Sequence, residues 1–190
     1  MYATLTQVKT YLAISSNSDD ALLQELIVRT SAIIDQLTRT RFRVDADETR
    51  TFGADAIERF RGREFLWFPP RLYLAAAATT VIAGDGSLIP PSQISYHPAG
   101  PPYAELILVP QATFAAHAGI ITVIGRWGWS VTPPADIVHA CIRLAAYAYQ
   151  QRASQADVDR PVVADGGLVV LPAKLPADVR ALLARYLPIV

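Results

Sequence analysis

The run DDALLQELIVRTSAIIDQLTRTRF, from Asp19 to Phe42, constrains this chain more than any other stretch. Apolar residues at 22, 23, 26, 27, 33, 34 and 37 recur at helical spacing, and no Gly or Pro interrupts them, so the pattern predicts one long helix. Asp19 or Asp20 can cap its first amides, and about 21 residues at a rise of 1.5 Å make a rod roughly 30 Å long. Leu22, Leu26, Ile33 and Leu37 form one apolar row on this rod, while Leu23, Ile27 and Ile34 form the next. One row can face the chain's own core. The second is left for another element or another subunit, although a central helix in an ordinary monomer fits the periodicity as well.

The flanking segments place this helix in an α+β chain. Thr4 and Gln7 have capping-box spacing before a short helix with Leu5, Val8, Tyr11 and Leu12 on one face, ending near Ile14. Ser15 to Ser18 then turn into the long helix, making a helical hairpin. After Phe42 the period falls to two, with expected strands at Thr49 to Phe52, Ile57 to Arg61, Phe65 to Phe68, Thr79 to Ala83, Gln93 to Tyr96, Ala104 to Val109 and Ile120 to Arg126. Gly84-Asp85-Gly86 reads as a turn, and Pro90-Pro91 and Pro98 to Pro102 as loops. Helical spacing returns in PPADIVHACIRLAAYAYQQR, where Ile137, Cys141, Leu144 and Ala148 form a stripe and the alanines permit close approach. Asp165-Gly166-Gly167 signals a hairpin. A last helix, PADVRALLARYL, turns Val179, Leu182, Leu183 and Tyr186 to one face, as a packed cap or a docking arm. The expected architecture is a small bundle of the helical hairpin and later helices with an inserted antiparallel β subdomain. It is read as a single domain over 1-190, with a helical core at 1-42 and 133-152, a β insertion at 43-132 and a C-terminal hairpin and helix at 153-190.

Composition narrows the function. Hydrophobic residues are 52% of the chain and charged ones 18%, so part of the apolar surface is available for partners. Lys plus Arg equals Asp plus Glu at 17 each, which removes any global field toward nucleic acid or acidic lipid. Cys141 is the single cysteine, excluding an internal disulfide or a thiolate cluster and suiting a reducing compartment. The N-terminus lacks the pattern of a signal peptide and no apolar run reaches spanning length, so a soluble protein made in the cytoplasm, without a membrane partner, is expected.

Catalytic, metal and cofactor-binding residues are expected to be absent. His139 and Cys141 lie two apart on a helix and point in different directions, and His97 and His117 match no local metal-ligand spacing. Asp45, Asp47 and Glu48 sit in a polar turn, and Gly84 and Gly86 lack the Lys-Ser/Thr of a phosphate loop. Arg59, Arg61 and Arg63, within a wider cluster of Arg39, Arg41, Arg43, Arg50 and Arg71, could track phosphates or pair with interleaved acids such as Glu58 and Glu64. Trp127 and Trp129 share a strand face across Gly128 and could pack in the core, contact another subunit or stack bases.

Several segments resemble the head-tail connector or adaptor proteins of long-tailed bacteriophages. The opening Leu5-Thr6-Gln7-Val8-Lys9-Thr10-Tyr11-Leu12 is similar to theirs, as are Asp19 and Asp20, Leu23, Leu26-Ile27, Ser31, Ile34 and the exit Thr38-Arg39-Thr40-Arg41-Phe42. Phe68-Pro69-Pro70-Arg71, Thr79-Thr80-Val81 with Gly84-Asp85-Gly86, and Gly125-Arg126-Trp127-Gly128-Trp129 before Pro134-Ala135-Asp136-Ile137 follow in the family's order. The resemblance covers about residues 1 to 152. It implies a structural virion protein at the capsid vertex, made in the host cytoplasm, that forms a ring of roughly twelve copies matching the portal. Such a ring extends the channel for DNA without reading its sequence, seats the tail, and meets the portal on one side and a tail-side neck or tail terminator protein on the other. It brings no reaction and no cofactor. On this reading Leu22, Leu26, Ile33, Leu37, Leu144, Ala148, Trp127 and Trp129 are candidate subunit contacts, and Val179, Leu182, Leu183 and Tyr186 candidate portal or tail contacts. The alternative is a nucleic-acid-binding module built on the Arg-rich segment with Trp127 and Trp129.

Overall fold

The computed structural model describes residues 1–153, 163–164, 168–169 and 175–186. The fold is α+β, and the chain divides into two compact units, residues 1–39 with 133–190, and residues 40–132.

The first unit holds α1 (Leu5–Leu12), α2 (Asp20–Thr38), α3 (Ala135–Ala153) and α4 (Ala177–Leu183), the last continued by a 3-10 turn over Ala184–Tyr186. The capping box forms as the sequence predicts: the Gln7 amide donates to the Thr4 hydroxyl at 3.2 Å and the Thr4 amide to Gln7 Oε1 at 2.8 Å. α3 packs against α1, α2 and α4. Leu23, Ile27 and Ile34 of α2 are buried, as are Ile137, Ala140, Cys141, Leu144 and Ala145 of α3. Thr30 and Ser31 are also buried, and their hydroxyls donate to the Leu26 and Ile27 carbonyls while standing 3.4 and 3.5 Å from the Cys141 sulfur. Small side chains at this spot let the two helices approach without an orphaned polar group.

In the second unit, a three-stranded sheet in the order β1-β7-β4 combines Glu48–Phe52, Ile121–Gly125 and Thr80–Ile82. A four-stranded sheet in the order β2-β3-β6-β5 combines Ile57–Phe60, Arg63–Trp67, Glu105–Leu108 and Ile94–His97. All of these pairs are antiparallel. One face of each sheet enters a common core, with Phe52, Val81, Ile121 and Val123 from the first sheet and Leu66, Leu106 and Leu108 from the second, joined by Phe68, Leu74, Phe114 and Trp127. Gly84 and Gly119 pass so closely that a Cβ at Gly84 would stand 2.7 Å from the Gly119 carbonyl oxygen, so this crossing requires glycine.

The long helix stops at Thr38, four residues short of the expected Phe42, with Arg39 left-handed at φ 53. Residues 41 to 44 join the β unit instead: the Trp129 amide donates to the Arg41 carbonyl at 2.7 Å and the Val44 amide to the Ser130 carbonyl at 3.1 Å. Tertiary pairing outweighs the helical propensity of this segment. The expected strand to Arg61 ends at Phe60, because Arg61 and Gly62, at φ 51 and 75, form a two-residue hairpin loop in which Phe60 faces Arg63. In the C-terminal part, β8 (Val163–Ala164) pairs antiparallel with β9 (Leu168–Val169). The expected turn at Asp165-Gly166-Gly167 lies outside the described residues.

Candidate functional site

The candidate subunit contacts fall into two groups. Leu26 and Leu144 are interior to this chain, Leu144 at 2% exposure, so neither has surface to offer a neighbour, contrary to expectation. Leu22, Ile33, Leu37 and Ala148 are half-buried and retain surface along the edge of the helical core. Val28, fully outside this row, is 52% exposed.

Trp127 is corrected in the same way. It is 2% exposed, its indole N–H donates to the Glu48 carbonyl at 2.9 Å, and its ring meets Phe52 and Phe68, leaving no face on which a base or a second subunit could stack. Trp129 is half-buried between Phe42 and Tyr73 at centroid distances of 6.0 and 5.3 Å. Val179, Leu183 and Tyr186 are buried on the side where α4 meets α3, and only Leu182 of that stripe keeps surface. Arg143 contributes to the same arrangement, donating to Asp178 at 2.5 Å and to the Tyr11 hydroxyl at 2.6 Å. A packed cap explains these residues; a docking arm would need them free.

Four arginines of the cluster, Arg41, Arg43, Arg50 and Arg59, are paired with acids, as is Arg126. Arg41 and Arg50 pair with Glu48, Arg43 with Asp45, and Arg126 with Asp47 at 3.6 Å. Arg59 pairs with Glu64 at 2.6 Å. Arg61 and Arg63 remain at the hairpin tip, Arg61 with its guanidinium 5.2 Å from the Phe60 ring centroid. A continuous phosphate-tracking groove is not formed by cations whose charge is already balanced in place.

Two buried carboxylates lie in the four-stranded sheet, one toward the core and one toward the outside. Glu64 accepts from the Phe114 amide at 2.6 Å and the Thr113 hydroxyl at 3.1 Å as well as from Arg59. Burial pushes its pKa up, but the Phe114 amide, Arg59 and Thr113 outweigh that and hold it below the ordinary carboxylate value. Glu105 sits between Trp67 and His97 in register, on the face opposite Leu106 and Leu108. Its Oε1 meets His97 Nδ1 at 2.9 Å, while its Oε2 is buried without a hydrogen-bond partner among the described residues. Burial pushes its pKa up, His97 pulls against that and Glu58 adds to it, leaving it above the ordinary value. Sequence reasoning named Glu64 among the acids that pair with the arginines, as it does with Arg59, but not its burial, and it did not single out Glu105. The alternation that puts Glu64 in line with Leu66 was the available signal for the first.

The pairing of His97 with Glu105 is the one place where a candidate histidine meets a carboxylate by direct contact among the described residues. The imidazole is mostly exposed on an outer sheet face, and among the described residues no hydroxyl or thiol is hydrogen-bonded to it, so these residues assemble no nucleophile–base–orienter geometry there. Among the described residues no three or more His, Cys, Asp and Glu side chains are placed to hold a metal ion. Nor is any described helix long and apolar enough to cross a membrane.

The chain is similar in fold to chains of solved gene transfer agent (GTA) particles. One comes from the neck of an empty GTA particle computed with C6 symmetry, at 16% identity and a TM-score of 0.56. Another comes from the virion of a native GTA particle, at 16% and 0.59. A third comes from the neck of a native GTA particle computed with C12 symmetry, at 18% and 0.51. Each likeness covers 99% of this chain and 90% of the other. No family model and no curated protein matches the chain. At these identities the likeness is one of fold, extending over the helical and β units alike.

Proposed function

We propose that this protein is a structural component of a phage-like virion neck, a head-tail connector whose whole chain acts as one domain. Copies form a closed ring beneath the portal, prolong the DNA channel and seat the tail. The observation that carries this reading is the fold likeness along 99% of the chain to neck and virion chains of GTA particles, two of them in necks computed with C6 and C12 symmetry. Further support comes from α2, whose half-buried Leu22, Ile33 and Leu37 leave an apolar margin suited to side-by-side copies. A net charge of zero suits a conduit that must let DNA slide.

The test is to mix the purified chain with the portal of the same particle and to examine the product by sedimentation and electron microscopy. A ring coaxial with the portal is the expected result. Absence of both co-sedimentation and a ring overturns the reading. The nucleic-acid-binding alternative loses support with Trp127 buried and Arg41, Arg43, Arg50 and Arg59 paired with acids.

A further inference from the structure

Outside the core, the four-stranded sheet presents a second face on which large apolar side chains stay exposed. Alternation turns Glu58, Phe60, Arg63, Phe65, Trp67 and Ile107 away from the buried Leu66, Leu106 and Leu108. Phe60 and Trp67 are 57% and 46% exposed, a large apolar area for the surface of one sheet. Beneath it, Glu105 is 5% exposed with Oε2 unpartnered, and Glu58 lies on the same face close enough to act on its ionisation. None of the ion pairs of this unit uses Glu58. Away from the tip this face is therefore apolar and anionic, with the exposed His97 beside Glu105 and Arg63 only at the hairpin end.

The same sheet ends in the opposite character. At the β2–β3 tip, Arg61 and Arg63 are exposed and, among the described residues, pair with no carboxylate, whereas Arg41, Arg43, Arg50, Arg59 and Arg126 each do. Arg61 is also held at φ 51, in a loop where Asn or Gly is the low-energy choice. A closed ring needs two different, complementary patches on one chain, because its contacts are head-to-tail.

We propose that the Arg61–Arg63 hairpin tip of one copy docks on the part of the next copy's sheet face away from its own tip, around Glu58, Trp67 and Glu105, with the guanidinium groups taken up by the field of Glu58 and Glu105 and stacked against Trp67. This contact rests on the ring reading above and specifies which surfaces close the ring. Guanidinium over an indole with carboxylates nearby combines cation–π attraction with charge pairing.

The experiment uses two charge-reversed full-length chains, Arg61→Glu with Arg63→Glu, and Glu58→Arg, alone and in equal mixture, with sedimentation velocity measured across concentration and salt. Circular dichroism and thermal melts report whether each is folded. Each variant alone carries like charges at its contact and is expected to assemble at least roughly tenfold more weakly than the natural chain. The mixture is expected to recover, because alternating the two variants makes every contact complementary. If the natural chain assembles and the folded variants assemble as well as it does, or both fail without recovery in the mixture, this contact is overturned while the ring stands. If the natural chain stays monomeric at every concentration, with and without portal, the ring reading is overturned and the contact with it. If either variant proves unfolded, Glu58→Gln and Arg63→Gln replace the reversals, and an unchanged assembly constant for both overturns the contact.

Discussion

Glu64 and Glu105 occupy the same sheet and carry opposite pH signatures. Glu64 has a folded pKa below its ordinary value, so it contributes stability that is present above that ordinary value and is lost as pH falls through the lower folded one. Glu105 has a folded pKa above its ordinary value, so its contribution is present at acid pH, where it is neutral, and is lost as pH rises through the raised folded one. At pH 7, Glu64→Gln is expected to cost about 2 kcal/mol, because the Phe114 amide loses a charge-assisted acceptor and Arg59 loses its partner. Glu105→Gln is expected to be neutral or stabilising by about 1 kcal/mol, since the amide removes a buried charge with one unsatisfied oxygen. Urea unfolding at pH 7 and pH 4 checks both: the two substitutions must change the pH slope in opposite directions. Nothing in the local sequence marks Glu105, because its burial depends on the register of β6 against β3 and β5. Cys141 was more legible, since a lone cysteine in an alanine-rich helical stripe reads as a small buried side chain, and its sulfur lies against Thr30 and Ser31.

The elements divide into those set by local chemistry and those set by distant pairing. Local chemistry places the start of α1, where Thr4→Ala is expected to lower stability by about 1 kcal/mol through loss of the Gln7 amide acceptor, measured by thermal or urea unfolding. All seven strands of the β unit fall within two residues of the expected segments, because period-two apolar spacing and the bounding prolines and glycines are local signals. The end of α2 was not legible in the periodicity, although the resemblance put the helix exit at Thr38 to Phe42. Arg39 to Phe42 has no Gly or Pro, and the helix stops there because Arg41 and Val44 find backbone partners in Trp129 and Ser130, nearly ninety residues on. The β2–β3 loop was expected after Arg61 instead of at Arg61-Gly62, since Arg-Gly is a poor hairpin signal and Arg61 occupies a position that Asn fills at lower cost. Arg61→Asn is therefore expected to raise the unfolding free energy of the isolated chain by about 0.5–1 kcal/mol. If the hairpin tip serves assembly, the same substitution weakens it, so stability and association move in opposite directions when both are measured on one sample.

At the scale of the whole molecule, the issue is which apolar surface the chain hides by itself and which it leaves for a neighbour. The sequence pattern made α2 too broad to bury on one side, and Leu23, Ile27 and Ile34 do form the inner row. It could not apportion the outer row, because that depends on how closely α1, α3 and α4 pack: Leu26 goes inside, whereas Leu22, Ile33 and Leu37 stay at the margin. A contact between copies along that margin gives a sharp expectation. Leu22→Arg places a charge in a half-buried apolar row, where a subunit interface must desolvate it but a free chain lets the long side chain reach water. The expected outcome is a chain whose melting temperature changes little while its ring, seen by sedimentation and negative-stain electron microscopy, is lost or weakened at least roughly tenfold. Val28→Arg, on the open flank of the same helix, is the control and is expected to leave both measurements unchanged. A Leu22→Arg chain that assembles like the natural one removes α2 from the proposed ring contact and leaves only the proposed docking of hairpin tip on sheet face.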